Sequence, residues 1–417
     1  MAAPVKSGSK FMLNGLCRWG GMAVVLLGLP CLAANEATAN PAPMAMVVEE
    51  ALQTATAQYE WMLAHLPDNG ELPRTFEHGK LVTKLKRDWT VGFFPGSLWY
   101  LYAATAEPKW RIAAEHYTAL IAAEQFNTRT HDVGFILYCS FGNGYRLTKQ
   151  EAYRAVLLQG AKSLGTRFDP VVGSIKSWDR DPKRFTFPVI IDNMMNLELL
   201  LWAAVHGGVA GLREIAVAHA DTTLRYHFRP DGSSFHVVDY DAATGGVLRR
   251  LTHQGAADDS AWARGQAWGL YGFTFMYRET HDVRYLAQAE KIAAFLMNHP
   301  RMPADKIPYW DFDAPGLPNV PRDTSAAAIM SSALFELARL TKGSNEAERY
   351  AGFAGDQLRA LASPAYLARP GENGGFLLMH ATGNLPGHSE VDVPLNYGDY
   401  YFLEALLRCR ARLNPQS

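Results

Sequence analysis

Cysteine is scarce in this chain, and the short motifs that hold zinc are missing. The 417 residues include 4 cysteines, and neither C-x-x-C nor H-E-x-x-H occurs, so the usual zinc patterns are absent. Cys17 and Cys31 lie in an N-terminal segment that we expect to be removed. Cys139 and Cys409 lie in apolar stretches, where two buried free thiols are at least as well supported as a disulfide.

Concentrated positive charge is also lacking. The formal net charge is -1 and no basic tract occurs, although 48% of the residues are hydrophobic and only 19% are charged. A nucleic-acid partner would require a positive surface that neutralises phosphates, so we expect none. An acidic small molecule remains possible, because a single arginine can bind it.

No apolar run reaches the roughly 20 residues that a membrane-spanning helix needs. The segment GGMAVVLLGLPCLA follows three basic residues and ends in small ones, which is typical of a secretory signal peptide. We expect residues 1–34 to be this signal, cleaved near Ala33 or Ala34, and residues 35–43 to be a flexible spacer. The protein would then be exported, periplasmic or secreted, without a membrane span after cleavage.

Regular helical periodicity runs through the rest of the chain. No linker rich in proline, glycine or serine interrupts it, so one domain over 44–417 is the simplest account. The 3.6-residue period predicts twelve helices, near 45–66, 92–106, 108–124, 132–147, 149–165, 191–205, 208–226, 262–280, 282–298, 323–341, 344–362 and 399–413.

The connections between these helices alternate in length. Short links such as EPK, LTKQ and THD force antiparallel neighbours. The other connections are long, at 67–91, 125–131, 166–190, 227–261, 299–322 and 363–398. Six helical hairpins with all long loops at one end predict an all-α (α/α)6 barrel. An open α-solenoid shows similar alternation, but the sequence has no fixed repeat to support it. One long loop contains FHVVDYDAATGGVLRR, which predicts a β-hairpin that turns at ATGG.

Aspartates stand at the beginnings of four even-numbered helices, which are rich in glycine, alanine and aromatic residues, as an inner ring would be. In PVIIDNMMNLELLLWAA, Asp192 precedes a long apolar run, and a helix N-cap would account for it. In a barrel, however, Asp132, Asp192, Asp323 and Asp399 would gather at one mouth. We expect five tryptophans near the same mouth: Trp89, Trp99, Trp178, Trp262 and Trp268. Carboxylates beside aromatic platforms suit a sugar substrate.

Six motifs in order identify a resemblance that covers nearly the whole mature chain. DWTVGFFPGSLWYLY, HDVGFILYCSFGNGYRLT, IIDNMMNLELLLWAA, DDSAWARGQAWGLYGF, RDTSAAAIMSSALFEL and YGDYYFLEALL span about residue 85 to 408. This series closely resembles the unsaturated glucuronyl hydrolases, glycoside hydrolase family 88. The resemblance implies an (α/α)6 barrel that removes a 4,5-unsaturated uronic acid from the non-reducing end of lyase-generated oligosaccharides, such as glycosaminoglycan fragments.

The resemblance also implies an unusual reaction, hydration of the vinyl ether of the unsaturated sugar. The acid/base of the family aligns with Asp192 and its assisting aspartate with Asp132. The spacing rule for ordinary retaining and inverting carboxylate pairs therefore does not apply. This chemistry requires no cofactor and no metal.

Further matched positions imply contacts with the substrate, at Trp89, Trp178, His236, Gln254, Arg264 and Trp268. Either of the first two tryptophans could instead be core packing. Arg264 and Trp268 are one helical turn apart, which would point both into the pocket. An ion pair with Asp258 or Asp259 is the alternative role for Arg264.

Other readings remain open on sequence alone. Unsaturated rhamnogalacturonyl hydrolases share the barrel and the chemistry, while N-acyl-glucosamine 2-epimerases, polysaccharide lyases and a non-catalytic glycan-binding barrel are more remote. The loop before the last helix has no lysine or arginine between Gly371 and Tyr400, which disfavours a strongly sulfated sugar at that loop. The source polysaccharide and the oligomeric state are not determined by the sequence.

Overall fold

All twelve helical segments expected from periodicity are present in residues 42–414, the part of the chain that this computed structural model describes. The expected signal peptide and most of the expected spacer lie outside these residues. Within residues 42–414, no helix has the length and apolar character needed to cross a membrane.

Thirteen α-helices account for the twelve segments, because one segment is divided by a wider turn. They are α1 (Met44–His65), α2 (Phe93–Thr105), α3 (Pro108–Leu120), α4 (Val133–Leu137), α5 (Asn143–Thr148), α6 (Glu151–Gly165), α7 (Leu197–Gly207), α8 (Leu212–Tyr226), α9 (Ala263–Thr280), α10 (Val283–Asn298), α11 (Thr324–Leu340), α12 (Ser344–Leu361) and α13 (Asn396–Leu413). A π-helical turn over Tyr138–Gly142 joins α4 to α5, and a 3₁₀ turn over Ile191–Asn196 leads into α7.

The helices form two concentric rings. The inner ring runs α2, α4–α5, α7 with its 3₁₀ turn, α9, α11 and α13, and α13 packs back against α2. Each outer helix packs on an inner partner: α3 on α2, α6 on α4, α8 on α7, α10 on α9, α12 on α11 and α1 on α13. Closure of the inner ring confirms the (α/α)6 barrel and excludes the open solenoid.

The two rings follow from their side chains. In α11, TSAAAIMSSALFELARL, every residue from Thr324 to Ala338 is buried, because small residues let a helix pack on all sides. In the outer helix α10, only one stripe is buried: Tyr285, Gln288, Ala289, Ile292, Ala293 and Leu296. Its other face carries charge, as expected for a helix with one side in water.

Short strands occupy the long connections. Three two-stranded sheets pair β1 (Leu72–Glu77) with β2 (Lys80–Lys84), β3 (Phe168–Asp169) with β4 (Ser174–Ile175), and β8 (Ala381–Asn384) with β9 (Ser389–Val393). In a three-stranded sheet, β6 (Val237–Tyr240) lies between β5 (Pro188–Ile190) and β7 (Val247–Leu251). The hairpin expected at ATGG is confirmed as β6–β7. Sequence reasoning missed the β1–β2 and β8–β9 hairpins. A signal for the first was present, since His78 and Gly79, both with positive φ, form a two-residue turn between strands.

Candidate active site

A cavity of about 530 Å³ opens where the inner helices begin. Its lining includes five of the residues expected at the site: Asp132, Asp192, Trp89, Trp178 and Gln254. They come from segments that precede or begin four different helices, so the closed barrel brings together residues far apart in sequence. The cavity also receives residues from the β8–β9 hairpin.

Strand pairing places Asp192. Ile190 of β5 pairs with Val237 of β6, and Ile191 N donates to His236 O at 3.0 Å. The chain then turns into the 3₁₀ segment, which carries Asp192 to the cavity with His236 beside it. Asp192 lies inside the 3₁₀ segment, whose N-cap is Ile190, and the N-cap of α7 is Asn196. The N-cap interpretation of this residue is therefore wrong.

A close approach between two inner segments places Asp132. Gly134 lies against the 3₁₀ turn so tightly that a Cβ there would be 2.5 Å from Asn196 Cα. Asn196 Oδ1 accepts from Phe135 N at 2.7 Å, which ties the start of α4 to that turn. Any larger residue at position 134 would separate Asp132 from Asp192.

The other two aspartates at helix starts have structural roles. Asp323 is an N-cap that accepts from Ser325 N and Ala326 N. Asp399 lies inside the first turn of α13 and accepts from Leu377 N and Leu378 N, at 2.9 and 3.0 Å. Both side chains are thus used within the fold.

Asp132 has polar neighbours at both carboxyl oxygens. Thr130 Oγ1 donates to Asp132 Oδ2, and His131 Nε2 lies 3.2 Å from Asp132 Oδ1. These neighbours fix the position of the carboxyl group at the cavity. His131 was not among the residues expected at the site, although it precedes Asp132 directly.

The carboxyl group of Asp192 is more buried than that of Asp132 and has fewer polar contacts. Burial raises its pKa to about 7, and the Asp132 charge adds to this, against the opposing effects of Arg264 and a backbone hydrogen bond. That pKa corresponds to about 4 kcal/mol against ionisation compared with an ordinary carboxyl group. Within residues 42–414, Asp192 Oδ2 has no hydrogen-bond partner. Asp192 can therefore hold a proton near neutral pH beside a second carboxyl group, an arrangement suited to acid–base catalysis.

His236 presents a fixed tautomer to Asp192. Its Nδ1 accepts from His253 N at 3.1 Å and from Gln254 N at 3.2 Å, so the neutral ring carries its proton on Nε2. Burial keeps the pKa of His236 well below its ordinary value, so the ring is neutral. Nε2 lies 3.8 Å from Asp192 Oδ2 and has no hydrogen-bond partner in the described part of the chain. The ring therefore leaves an Nε2–H group beside Asp192 that no other described residue uses.

Two tryptophans line the cavity walls. Trp89 packs against Phe135 and Tyr397, and Trp178 packs edge-on against Phe185. Only these two of the five tryptophans expected near the mouth line the cavity. That part of the prediction is wrong for Trp99 and Trp268, which are buried within inner helices. Trp262, at the start of α9, lies near the mouth and packs against His236 with ring centres 4.4 Å apart, but it does not line the cavity.

Gln254 lies at the cavity, while Arg264 and Trp268 lie beneath it. Gln254 Nε2 donates to Gly383 O at 3.0 Å. The guanidinium of Arg264 is 1% exposed, donates to Asp323 Oδ2 at 2.8 Å, and donates to the carbonyls of Thr382 and Gly383. Its ion-pair partner is thus Asp323, neither of the two aspartates expected from sequence. Trp268 packs on Phe135 and Tyr401, outside the cavity lining.

An ion-pair cluster in the cavity wall was missed by sequence reasoning. Arg74 Nη1 donates to both carboxylate oxygens of Asp88, at 2.8 and 2.7 Å, and the same guanidinium binds Glu390 on β9. The side chain of Asp88 is only 21% exposed, and both of its carboxylate oxygens are paired. The cluster joins two hairpins that had not been predicted. Arg74 and Glu390 are far apart in sequence, so no local pattern indicates that they pair.

No group of three histidine, cysteine, aspartate or glutamate side chains suited to a metal ion occurs within residues 42–414. The cavity lining instead combines Asp132 and Asp192, two histidines whose pKa is lowered by burial, His131 and His253, and two indole faces.

Comparison with known proteins gives a consistent family. No family model matches the chain. It is 49% identical over 323 residues to an unsaturated glucuronyl hydrolase of Formosa agariphila, covering 77% of this chain and 80% of that protein. It is 31% identical over 366 residues to an unsaturated chondroitin disaccharide hydrolase of Streptococcus agalactiae, covering 87% of this chain and 91% of that one.

Solved structures agree. An unsaturated glucuronyl hydrolase specific for heparin superposes with a TM-score of 0.85 at 46% identity, covering 89% of this chain and 98% of that chain. In this chain, Asp132 and Asp192 lie in the cavity at the mouth of the barrel. The chain belongs to the unsaturated glucuronyl hydrolases, a family of glycoside hydrolases.

Proposed function

We propose that Asp192 is the acid/base that hydrates the vinyl ether of a 4,5-unsaturated uronic acid at the non-reducing end of an oligosaccharide. The observation that carries this proposal is the pair of unlike carboxyl groups. Asp192 has a pKa of about 7 through burial, and Asp132 accepts from the Thr130 hydroxyl and lies beside the His131 ring. An acid that keeps its proton near neutral pH is what the first step requires.

In the first step, the π electrons of the C4=C5 bond take the proton of Asp192 at C4. Positive charge then develops at C5 and is shared with the ring oxygen. The ionised Asp132 lies close enough to raise the pKa of Asp192, so its field also stabilises a cation formed beside it. Stabilisation of developing charge by a preorganised group contributes strongly in a water-poor site.

In the second step, water adds to C5 and gives its proton to the Asp192 carboxylate, which regenerates the acid. The product is a hemiketal at C5, and its ring opens to expel the remaining saccharide. His236 Nε2–H lies 3.8 Å from Asp192 Oδ2, where it can donate to the substrate or orient that water. No atom other than those of water is added, so the step needs no oxidant and no cofactor.

The indole faces of Trp89 and Trp178 would bind the sugar rings, since aromatic faces pack well against the apolar faces of sugars. Both line the cavity with the carboxyl pair. Relatives named for glucuronyl and chondroitin substrates support a disaccharide released from a glycosaminoglycan as the substrate. The N-terminal pattern of residues 1–34 supports export of the protein. Fractionation of cells that produce the full chain, with sequencing of the mature N-terminus, tests this location.

The experiment that tests the reaction follows the ultraviolet absorbance of the conjugated C=C–COO⁻ group. Glycosaminoglycan-type and pectin-type unsaturated disaccharides are each mixed with wild type and with Asp192→Asn. Loss of absorbance with wild type alone is expected. Unchanged absorbance with every disaccharide would overturn the proposed activity, and equal loss with the variant would overturn the role of Asp192.

A further inference from the structure

Two arginines line the cavity without an acidic partner. Arg129 and Arg180 are both exposed and both belong to the lining. Neither forms an ion pair with any aspartate or glutamate in residues 42–414. Arginines lining a pocket usually have a carboxylate partner or a ligand, because the planar guanidinium is well matched to oxyanions.

The backbone holds these arginines on one wall. Thr130 forms an antiparallel bridge with Trp178, and His131 N donates to Ser177 O at 3.1 Å. Arg129 precedes the first bridged residue and Arg180 lies two residues after the second. The guanidinium carbon of Arg180 lies 4.9 Å from the centre of the Trp178 ring. The two cations therefore border the same aromatic wall.

Neighbouring charges are already compensated. Asp179, next to Arg180, pairs with Arg167 at 2.9 Å and with Lys176 at 3.2 Å. On the opposite wall, Arg74 is held between Asp88 and Glu390. Asp181 carries charge nearby but does not line the cavity. The uncompensated positive charge of the cavity thus belongs to Arg129 and Arg180.

These arginines are more exposed than the carboxyl groups that would act on the sugar. The side chains of Asp192 and Asp132 are 12% and 20% exposed and lie deep in the cavity, whereas both arginines are exposed at its rim. A uronate with its C4=C5 bond at Asp192 fills the deep part, so the sugar that leaves extends towards the rim.

We propose that Arg129 and Arg180 form a subsite for a sulfate ester on the leaving sugar. The proposal rests on the proposed function, because it assumes a uronate bound at Asp192. It assigns anion recognition to the wall next to Trp178, and not to the loop between Gly371 and Tyr400, which has no lysine or arginine.

The test compares two unsaturated disaccharides that differ only in a 6-O-sulfate on the reducing-end hexosamine. The quantity measured is the ratio of kcat/KM for the sulfated substrate to that for the unsulfated one. In wild type we expect a ratio above one that falls as sodium chloride is added, because exposed charges are screened. In Arg129→Gln/Arg180→Gln, we expect the ratio to fall about tenfold, mainly through KM of the sulfated substrate.

Arg87→Gln is the matched control, since Arg87 is exposed in the segment before α2 and does not line the cavity. Its ratio should equal that of wild type. A wild-type ratio of one or less, or an unchanged ratio in the double variant, would overturn the subsite. An equal fall of kcat/KM on both substrates would also overturn it and assign the arginines to the uronate carboxylate. Absence of turnover of both substrates by wild type would instead contradict the proposed function.

Discussion

The barrel has a cavity at each end, and the two differ in chemistry far more than in size. The cavity at the starts of the inner helices measures about 530 Å³, and the cavity at their ends about 550 Å³. Both are lined partly by Phe135, which lies between them. Both contain carboxyl groups, arginines and aromatic rings.

The cavity at the ends of the inner helices is called the far cavity. Its carboxylates have hydrogen-bond or ion-pair partners. Glu404 accepts from Tyr100 at 2.7 Å and from Tyr271 at 3.0 Å, and it lies 3.4 Å from the guanidinium of Arg408. Glu198 pairs with Arg278. These contacts form a polar network that joins several inner helices.

At the cavity where the inner helices begin, Asp192 Oδ2 and the neighbouring His236 Nε2 have no hydrogen-bond partners in residues 42–414. An unsatisfied buried polar group costs stability, so its persistence points to a function. Because the two cavities have similar volumes, cavity volume does not identify the active site of this barrel. The state of the buried carboxyl groups does.

The largest expected effect separates the two cavities by activity. Asp192→Asn removes the proton donor, and we expect kcat to fall by about a thousandfold or more. Glu404→Gln, the matched change in the far cavity, should leave kcat and KM near wild type. Steady-state assays of both variants by absorbance decide this. Comparable losses in the two variants would break the comparison.

Asp192→Asn should make the protein more stable than wild type, and the difference should grow as pH rises. The pKa of Asp192 is about 7 in the folded protein and about 4 when unfolded, so the folded state binds the proton more tightly. Ionisation therefore costs wild-type stability as pH rises through that interval, and the asparagine variant avoids this cost. We expect Asp192→Asn to gain up to about 4 kcal/mol at a pH above 7, and little near pH 4.

Denaturant unfolding at the two pH values measures this difference. Asp323→Asn serves as a control, because that aspartate is an N-cap paired with Arg264, and its loss should destabilise the protein. A gain of equal size at both pH values in Asp192→Asn would contradict a burial-raised pKa.

In the far cavity, the effect should appear in folding. Glu404→Gln weakens a network that includes the hydroxyls of Tyr100 and Tyr271 and leaves Arg408 with less compensation. We expect the free energy of unfolding to fall by about 2 kcal/mol. Thermal or denaturant unfolding measures the change, and a variant as stable as wild type would show that the network is not structural.

The smallest expected effect concerns the partner of Asp192. Thr130→Val removes the hydroxyl that donates to Asp132 Oδ2, which leaves that carboxyl group less firmly positioned. We expect kcat to fall about tenfold. The decline of kcat at high pH should also begin at a slightly lower pH, because the Asp132 charge helps to raise the pKa of Asp192. Thr130→Ser keeps the hydroxyl and should restore both quantities; failure of this rescue would assign Thr130 to packing.

Sequence reasoning succeeded where a pattern is local. The period of α10 and the THD link before it both lie within a few residues of chain, and both predicted the helical hairpin that α9 and α10 form. The turn at ATGG was likewise readable from adjacent residues. It failed for the partner of Arg264, because Asp323 lies 59 residues away and the two meet only when the barrel closes.

By itself the sequence determined the order of the helices, their alternation into hairpins and the motifs that carry Asp132 and Asp192, because these depend on short-range periodicity and on residue identity. The tertiary structure decided which aspartate keeps its proton. Two opposing effects act on Asp192, loss of water and the nearby positive and hydrogen-bonding groups, and burial prevails only in the folded site. It also decided that Arg264 lies beneath the cavity and that Arg129 and Arg180 border it. Burial and long-range charge depend on contacts between distant segments, which no local pattern encodes.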